Sequence, residues 1–149
     1  MSLKDTIGTQ LKDAMRAKDK VKLETLRSIK AAILLVQSDK GAGSELNEDE
    51  EMKILIKLQK QRKDSLDIYV EQNREDLAAE ERAQLEVIET FLPKAMSEEE
   101  LEATLREIIA SVGATGAQDF GKVMGKASKE LTGRADGKTI SAKLKSLLA

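Results

Sequence analysis

Leu23-Glu-Thr-Leu26-Arg-Ser-Ile29-Lys-Ala-Ala-Ile33-Leu-Leu-Val36 spaces five aliphatic residues three, three, four and three positions apart. At about 100° per residue that spacing collects them on one side of a helix, whereas a strand would alternate them. The surrounding composition supports the same reading. There is no Trp, one Tyr (Tyr69) and two Phe (Phe91, Phe120), so any core must be built from Leu, Ile, Val, Ala and Met. Helix packing suits that palette, and sheets usually recruit aromatic and β-branched residues. Charged residues of both signs make up 35% of the chain and proline occurs once, as expected of long solvated helices. The fold class is therefore all-α.

Working outward, the first helix carries Leu3, Ile7, Leu11, Ala14 and Met15 behind a Ser2 cap. The second ends at Ser38-Asp-Lys-Gly-Ala-Gly-Ser44, a flexible connector. The third is capped by Asn47 and runs to about Glu71, roughly 36 Å at 1.5 Å per residue. Its stripe is Met52, Leu55, Ile56, Leu66 and Val70, interrupted by Gln59 and Lys63 with Lys60 and Arg62 alongside. Either Lys63 lays its alkyl stem along the stripe, or a polar contact surface sits midway along the helix. The fourth carries Leu77, Leu85, Ile88 and Leu92 and stops before Pro93, which cannot continue a helix. Ser97-Glu-Glu-Glu100 is a capping box opening the fifth, which carries Leu101, Leu105, Ile108 and Val112. After Gly113 and Gly116, Asp119 caps a sixth with Phe120, Val123, Met124, Ala127 and Leu131. Gly133 ends it, and the seventh uses Ile140, Leu144, Leu147 and Leu148. With the seam at 93–96, the expected architecture is an N-terminal bundle of about four helices over 1–92, then a small three-helix domain over 97–149.

Cys and His are absent. That removes disulfides, thiol nucleophiles, the usual zinc ligands and the commonest general base near neutral pH. Acid clusters such as Glu48–Glu51 and Glu98–Glu100 lie in first helical turns, where they complement the helix dipole. No catalytic residue, cofactor or metal is expected. Met1-Ser-Leu-Lys-Asp5 lacks the apolar core of a signal peptide, and the apolar run Ala31 to Val36 is too short to span a bilayer. The expected location is the cytoplasm, with no membrane and no DNA partner.

Gly116-Ala-Gln-Asp-Phe-Gly121-Lys122 and Gly133-Arg-Ala-Asp-Gly137-Lys138-Thr139 approach the phosphate-loop pattern. The first has Val123 in place of the metal-binding hydroxyl, and the second is one residue short between its glycines. Each also puts an Asp inside the would-be anion cradle. They read instead as helix-connecting turns whose glycines take φ > 0.

Net charge is −2, but it is unevenly spread. From Asp119 onward the balance is about +4, against about −6 for the remainder. Lys122, Lys126 and Lys129 stand at i, i+4 and i+7, nearly opposite the Phe120, Met124, Ala127 and Leu131 face, and Arg134 and Lys138 follow in the next turn. Such a ridge is able to track a phosphate backbone. It is equally a pattern found on an ordinary solvated helix face. Gly121 and Gly125 flank it, either admitting a close partner backbone or tightening internal helix packing.

Three separated blocks carry a resemblance. They are Leu11-Lys-Asp-Ala-Met15, Lys18-Asp19 and Leu26-Arg-Ser-Ile-Lys-Ala-Ala-Ile33; then Lys60-Gln-Arg-Lys-Asp-Ser-Leu66, Arg74-Glu-Asp-Leu77 and Phe91-Leu-Pro93; then Asp119-Phe-Gly-Lys-Val-Met124 and Gly133-Arg-Ala-Asp-Gly-Lys138. Together they resemble the YqeY-like family, small proteins sharing a domain with the B subunit of the tRNA-dependent Asn/Gln amidotransferase. Phe91 stands where the family carries Tyr, and Gln72-Asn73 lacks a glycine common there. The resemblance implies an all-helical two-domain protein whose C-terminal unit looks like the amidotransferase tail domain, which engages the body of tRNA. It thus implies tRNA or another folded RNA as partner, contacted through Lys122, Lys126, Lys129, Arg134 and Lys138, with tRNA-charging or amidotransferase proteins as further partners. The glutaminase and kinase-like parts of that enzyme do not carry over, so a carbon–nitrogen ligase label would be inherited from the family. The expected function is a tRNA-associated binding protein. The alternatives are a protein–protein adaptor using the long third helix, and an accessory factor of a carbon–nitrogen ligase that takes its nitrogen from glutamine.

Overall fold

The computed structural model describes residues 2–149. They form seven α-helices: α1 (Leu3–Ala17), α2 (Lys20–Lys40), α3 (Glu48–Glu71), α4 (Glu75–Glu89), α5 (Glu98–Val112), α6 (Phe120–Glu130) and α7 (Gly137–Leu148). One 3-10 turn, Ala117–Asp119, precedes α6, and no strand occurs among the described residues. The all-helical expectation holds. The chain divides into two compact units, Met1–Leu92 and Pro93–Ala149.

In the first unit α1 packs on α2 and α3 packs on α4. Ile7, Ala14, Leu26, Ile29, Ile33, Ile54, Leu55, Ile88 and Leu92 form its buried core. Local chemistry sets the ends of these helices. Ser2 accepts the Asp5 N–H while Asp5 reaches back to Ser2, and Asn47 and Glu50 do the same at α3. Each arrangement satisfies two backbone donors that a helix start would otherwise leave unpaired. Between α1 and α2, Lys18 takes the left-handed conformation (φ 55°) and Asp19 caps α2 by accepting from the Lys22 N–H. Between α3 and α4, Asn73 sits at φ 57°, which explains why a glycine suits this position.

Two residues assigned to apolar stripes lie outside the core: Met15 is 59% exposed and Val70 49%. Both stand near a helix end, where a side chain on the correct face can run past its neighbours. Alongside the polar break in α3, one residue has a specific partner. Arg62 turns towards α4, where its Nη1 lies 3.0 Å from Glu81 Oε2 and donates to Gln84 Oε1 at 3.2 Å. Glu81 is only 13% exposed, so the guanidinium supplies the compensation that a half-buried carboxylate requires. Lys60 and Lys63 remain exposed.

In the second unit α5, α6 and α7 enclose Leu101, Leu105, Ile108, Val123, Ala127, Leu131, Ile140, Leu144 and Leu148. Ser97 caps α5 by accepting the Glu100 N–H. The reciprocal half of the expected box is not formed, because the Glu100 carboxylate faces Arg134 Nη2 at 3.6 Å. Asp119 makes no side-chain cap on α6 and accepts from the Thr115 N–H at 2.9 Å instead, closing the turn before the helix. Of the glycines in the two phosphate-loop-like stretches, Gly133 alone has positive φ (82°). Gly116 is extended, Gly121 lies in the first turn of α6, and Gly137 opens α7. Asp136 accepts the Thr139 N–H at 2.7 Å, so a carboxylate already fills the cap position of the second stretch.

Candidate nucleic-acid interface

α6 is short and strongly amphipathic. Val123 and Ala127 are fully buried against α5 and α7, while Gly121, Lys122, Gly125 and Lys129 are exposed on its outer side and Lys126 is half-exposed. The five cations of the sequence reading do not converge on one point. Lys122 Nζ donates to the Val112 carbonyl at 3.3 Å, and Lys126 Nζ donates to Ser111 Oγ at 2.9 Å. Two ammonium groups are thereby brought together on the last turn of α5, where unsatisfied carbonyls favour positive charge. The side chains of Lys129 and Lys138 make no hydrogen bond or ion pair among the described residues.

Arg134 is held elsewhere. It reaches Glu100 in the first turn of α5 and donates to the Lys94 carbonyl at 3.4 Å. Ser111 and Glu100 are eleven residues apart on one helix, about 16 Å along its axis. Lys122, Lys126, Lys129 and Arg134 are therefore strung in a line along the α5–α6 pair, while Lys138 stands apart in the first turn of α7. Carboxylates touch that line at two of its four positions, Lys126–Glu130 at 3.9 Å and Arg134–Glu100 at 3.6 Å. Both pairs are exposed, and exposed ion pairs contribute about 0–1 kcal/mol, so a phosphate competes for them readily. Each ammonium bound to Ser111 or Val112 also keeps donors to spare, since Lys carries three.

A tighter charge group lies across α5 and α7. Lys143 Nζ is 3.1 Å from Glu102 and 3.5 Å from Glu98, and Glu102 also accepts from Arg106 at 2.8 Å. Hydrogen bonds from Arg106 and then Lys143 hold the Glu102 carboxyl below its usual range, and Glu102 raises Lys143 above its own. These groups satisfy one another and fasten α7 to α5. They take Arg106 and Lys143 out of any anion-binding surface, whereas Lys122, Lys129 and Lys138 stay exposed, as do Lys94 and Lys145.

The two glycines of α6 do not tighten packing within the chain. A Cβ built at Gly121 or Gly125 would meet nothing within 4 Å. A glycine inside an exposed helix costs roughly 0.5–1 kcal/mol relative to alanine. Gly125→Ala is accordingly expected to stabilise the protein by about that amount, measured as a higher midpoint in thermal denaturation followed by circular dichroism. A lowered midpoint would show that the open space beside Gly125 is filled in solution.

The sequence reading passed over Lys53 and Lys57, which extend Lys60 and Lys63 into a row of exposed lysines on α3. The signal was present as the spacing i, i+4, i+7, i+10. The charge gradient towards the C-terminus drew attention away from it.

A family model described as Yqey-like protein matches residues 4–148. Among curated proteins, similar chains bear the name altered inheritance of mitochondria protein 41, mitochondrial. The one from Vanderwaltozyma polyspora is 40% identical over 82 residues, covering 55% of this chain and 44% of the relative. That from Meyerozyma guilliermondii is 36% identical over 110 residues, covering 72% and 57%. That from Pyrenophora tritici-repentis is 30% identical over 146 residues, covering 95% and 78%. The chain thus spans about half the length of the first two relatives.

All three relatives are named as mitochondrial proteins, which overturns the expectation of a cytoplasmic chain. The lack of an apolar core in Met1–Asp5 bears on secretion only, because mitochondrial addresses are amphipathic and Arg- and Ser-rich and carry no such core. The family model runs almost from end to end of the chain, and a relative shares 30% identity across 78% of its own length, so the chain belongs to the Yqey-like protein family.

Proposed function

We propose that this protein is a tRNA-associated binding protein, without catalysis of its own, whose C-terminal unit grips folded RNA through phosphates. The observation that supports this most directly is the outer side of α6. There Lys122 and Lys126 are gathered at the end of α5, Lys129 follows, and Gly121 and Gly125 leave the backbone uncovered between them. A polyanion is able to approach such a surface closely, and lysines engage its phosphates as point charges. The near absence of aromatic side chains leaves little for bases to stack on, which favours recognition of shape over single-stranded sequence. The compartment that the relatives' names support is the mitochondrion.

The rival reading is an adaptor docking through the polar break of α3; Arg62 is used within the unit against Glu81 and Gln84, which leaves Lys60 and Lys63 as the exposed part of that surface. An accessory role beside a carbon–nitrogen ligase is compatible with RNA binding, the chemistry then residing in the partner. The test is a gel shift with total tRNA across a salt series. Five cations each neutralising one phosphate set a slope of log affinity against log salt of about −4.5, a loss of roughly 500-fold between about 50 and about 200 mM salt. Equal binding at both concentrations would exclude the mechanism.

A further inference from the structure

The lysine row on α3 lies in the other compact unit. Lys53, Lys57, Lys60 and Lys63 are all exposed, and none of their side chains makes a hydrogen bond or ion pair among the described residues. At about 100° per residue the first three fall within an arc of about 60°, and Lys63 lies about 60° beyond its edge. The row rises about 15 Å along a single straight element. The opposite side of α3 is committed: Ile54 and Leu55 are in the core, and Arg62 is paired with Glu81 on α4. The row ends where Asp64 and Asp67 enter the same arc, which confines the cationic footprint to 53–63.

We propose that this row is a docking surface for the phosphate backbone of double-helical RNA, independent of the α6 surface. Several kinds of partner fit it poorly. Protein interfaces place aromatic and apolar anchors at their centres and deplete Lys there, and no such anchor lies among these four residues. Binding at a membrane surface requires an apolar face to insert, and the one apolar residue within the arc, Ile56, is packed against the core. Single strands are held largely by aromatic stacking, which the arc does not offer. A duplex presents about one charge per 1.7 Å of axis, so each ammonium along 15 Å has a phosphate within reach. Lysines at this spacing carry no reader of base edges. Of the two duplexes, RNA is the one recognised mainly through shape, phosphates and 2′-hydroxyls.

The test is fluorescence anisotropy on the full chain with a labelled RNA duplex of about 16 base pairs, a matched DNA duplex, and a salt series for each. Lys57→Gln with Lys60→Gln is expected to weaken RNA-duplex binding about tenfold or more at low salt, and to reduce the salt slope by about 1.8. Both sites are exposed and Gln is a good helix former, so helicity should be unchanged. Asp64→Asn with Asp67→Asn should move affinity the other way, tightening it several-fold by removing repulsion where the row ends. The inference is overturned by no RNA-duplex binding in the unmodified chain, by unaltered affinity and slope in the Lys57/Lys60 variant, or by equal or tighter binding of the DNA duplex. Failure of the C-terminal reading would register separately, in variants of Lys122 and Lys126.

Discussion

Leu105→Ala is expected to unfold the C-terminal unit. Leu105 is fully buried at the centre of α5, and Val123, Ala127, Ile140 and Leu144 belong to the same buried cluster. Truncating a buried Leu to Ala removes its transfer energy and leaves a cavity, together about 2–5 kcal/mol. A unit the size of Pro93–Ala149 has little to set against this. Below about 70–80 residues a single core rarely supplies more than about 3–5 kcal/mol, and this one has no cysteine to staple it. The ion-pair group of Lys143, Glu98, Glu102 and Arg106 cannot compensate, because exposed pairs contribute little. The measurement is far-ultraviolet circular dichroism at 25 °C, where the variant should lose roughly the third of the helical signal that α5–α7 carry. Leu147→Ala, at a half-buried position on α7, serves as the graded control and should lower the midpoint while leaving the unit folded. A Leu105→Ala protein that keeps its full helical signal would show that the unit draws on stability beyond its own core.

The helices were legible in the sequence because the signals that specify them are local. Ser2, Asn47 and Ser97 each act on backbone groups within three residues, and each was read correctly as a helix start. Apolar spacing located every helix for the same reason. The failures fall where a competing partner, local or distant, takes the side chain. Asp119 was assigned to cap α6 and instead closes the turn at Thr115, four residues back. Glu100 was assigned to a capping box and instead faces Arg134 on the far side of α6. Arg62 looked like surface until α4 was laid beside it. No periodicity argument contains that information.

The candidate site shows the same division. The spacing of Lys122, Lys126 and Lys129 put them on the outer side of α6, and the structure keeps Lys122 and Lys129 exposed and Lys126 half-exposed. Their binding to Ser111 and Val112 depends on how α5 ends, at Gly113 in the left-handed conformation (φ 68°), and on α6 doubling back beside it. The open space beside Gly121 and Gly125 is likewise a tertiary fact, since a glycine in sequence is silent about whether anything faces it. Lys53 and Lys57 were legible and overlooked, because a net charge summed over a region hides a cationic row flanked by acids such as Asp49 and Asp64.

Lys122→Glu combined with Lys126→Glu is expected to abolish tRNA binding through the C-terminal unit, a loss of at least about 100-fold at low salt. Each reversal removes a cation from the phosphate backbone and leaves an anion in its place, so attraction at two of the five contacts becomes repulsion. The same substitutions also disturb the protein itself, because both ammonium groups complement the C-terminal end of α5. A carboxylate placed there opposes the helix dipole, at a cost of about 0.3–1 kcal/mol for each site at the surface. The unit should survive that, since its core is untouched, and its helical signal should match the unmodified chain. Lys122→Gln with Lys126→Gln separates the two effects. It keeps an amide donor but carries no charge, so it should lose no more than the dipole contribution of the two cations, about 0.3–1 kcal/mol each, while the salt slope falls by about 1.8. If the Glu pair binds tRNA as tightly as the unmodified protein while remaining helical, the phosphate contacts lie off α6, and the lysines at the end of α5 serve that helix alone.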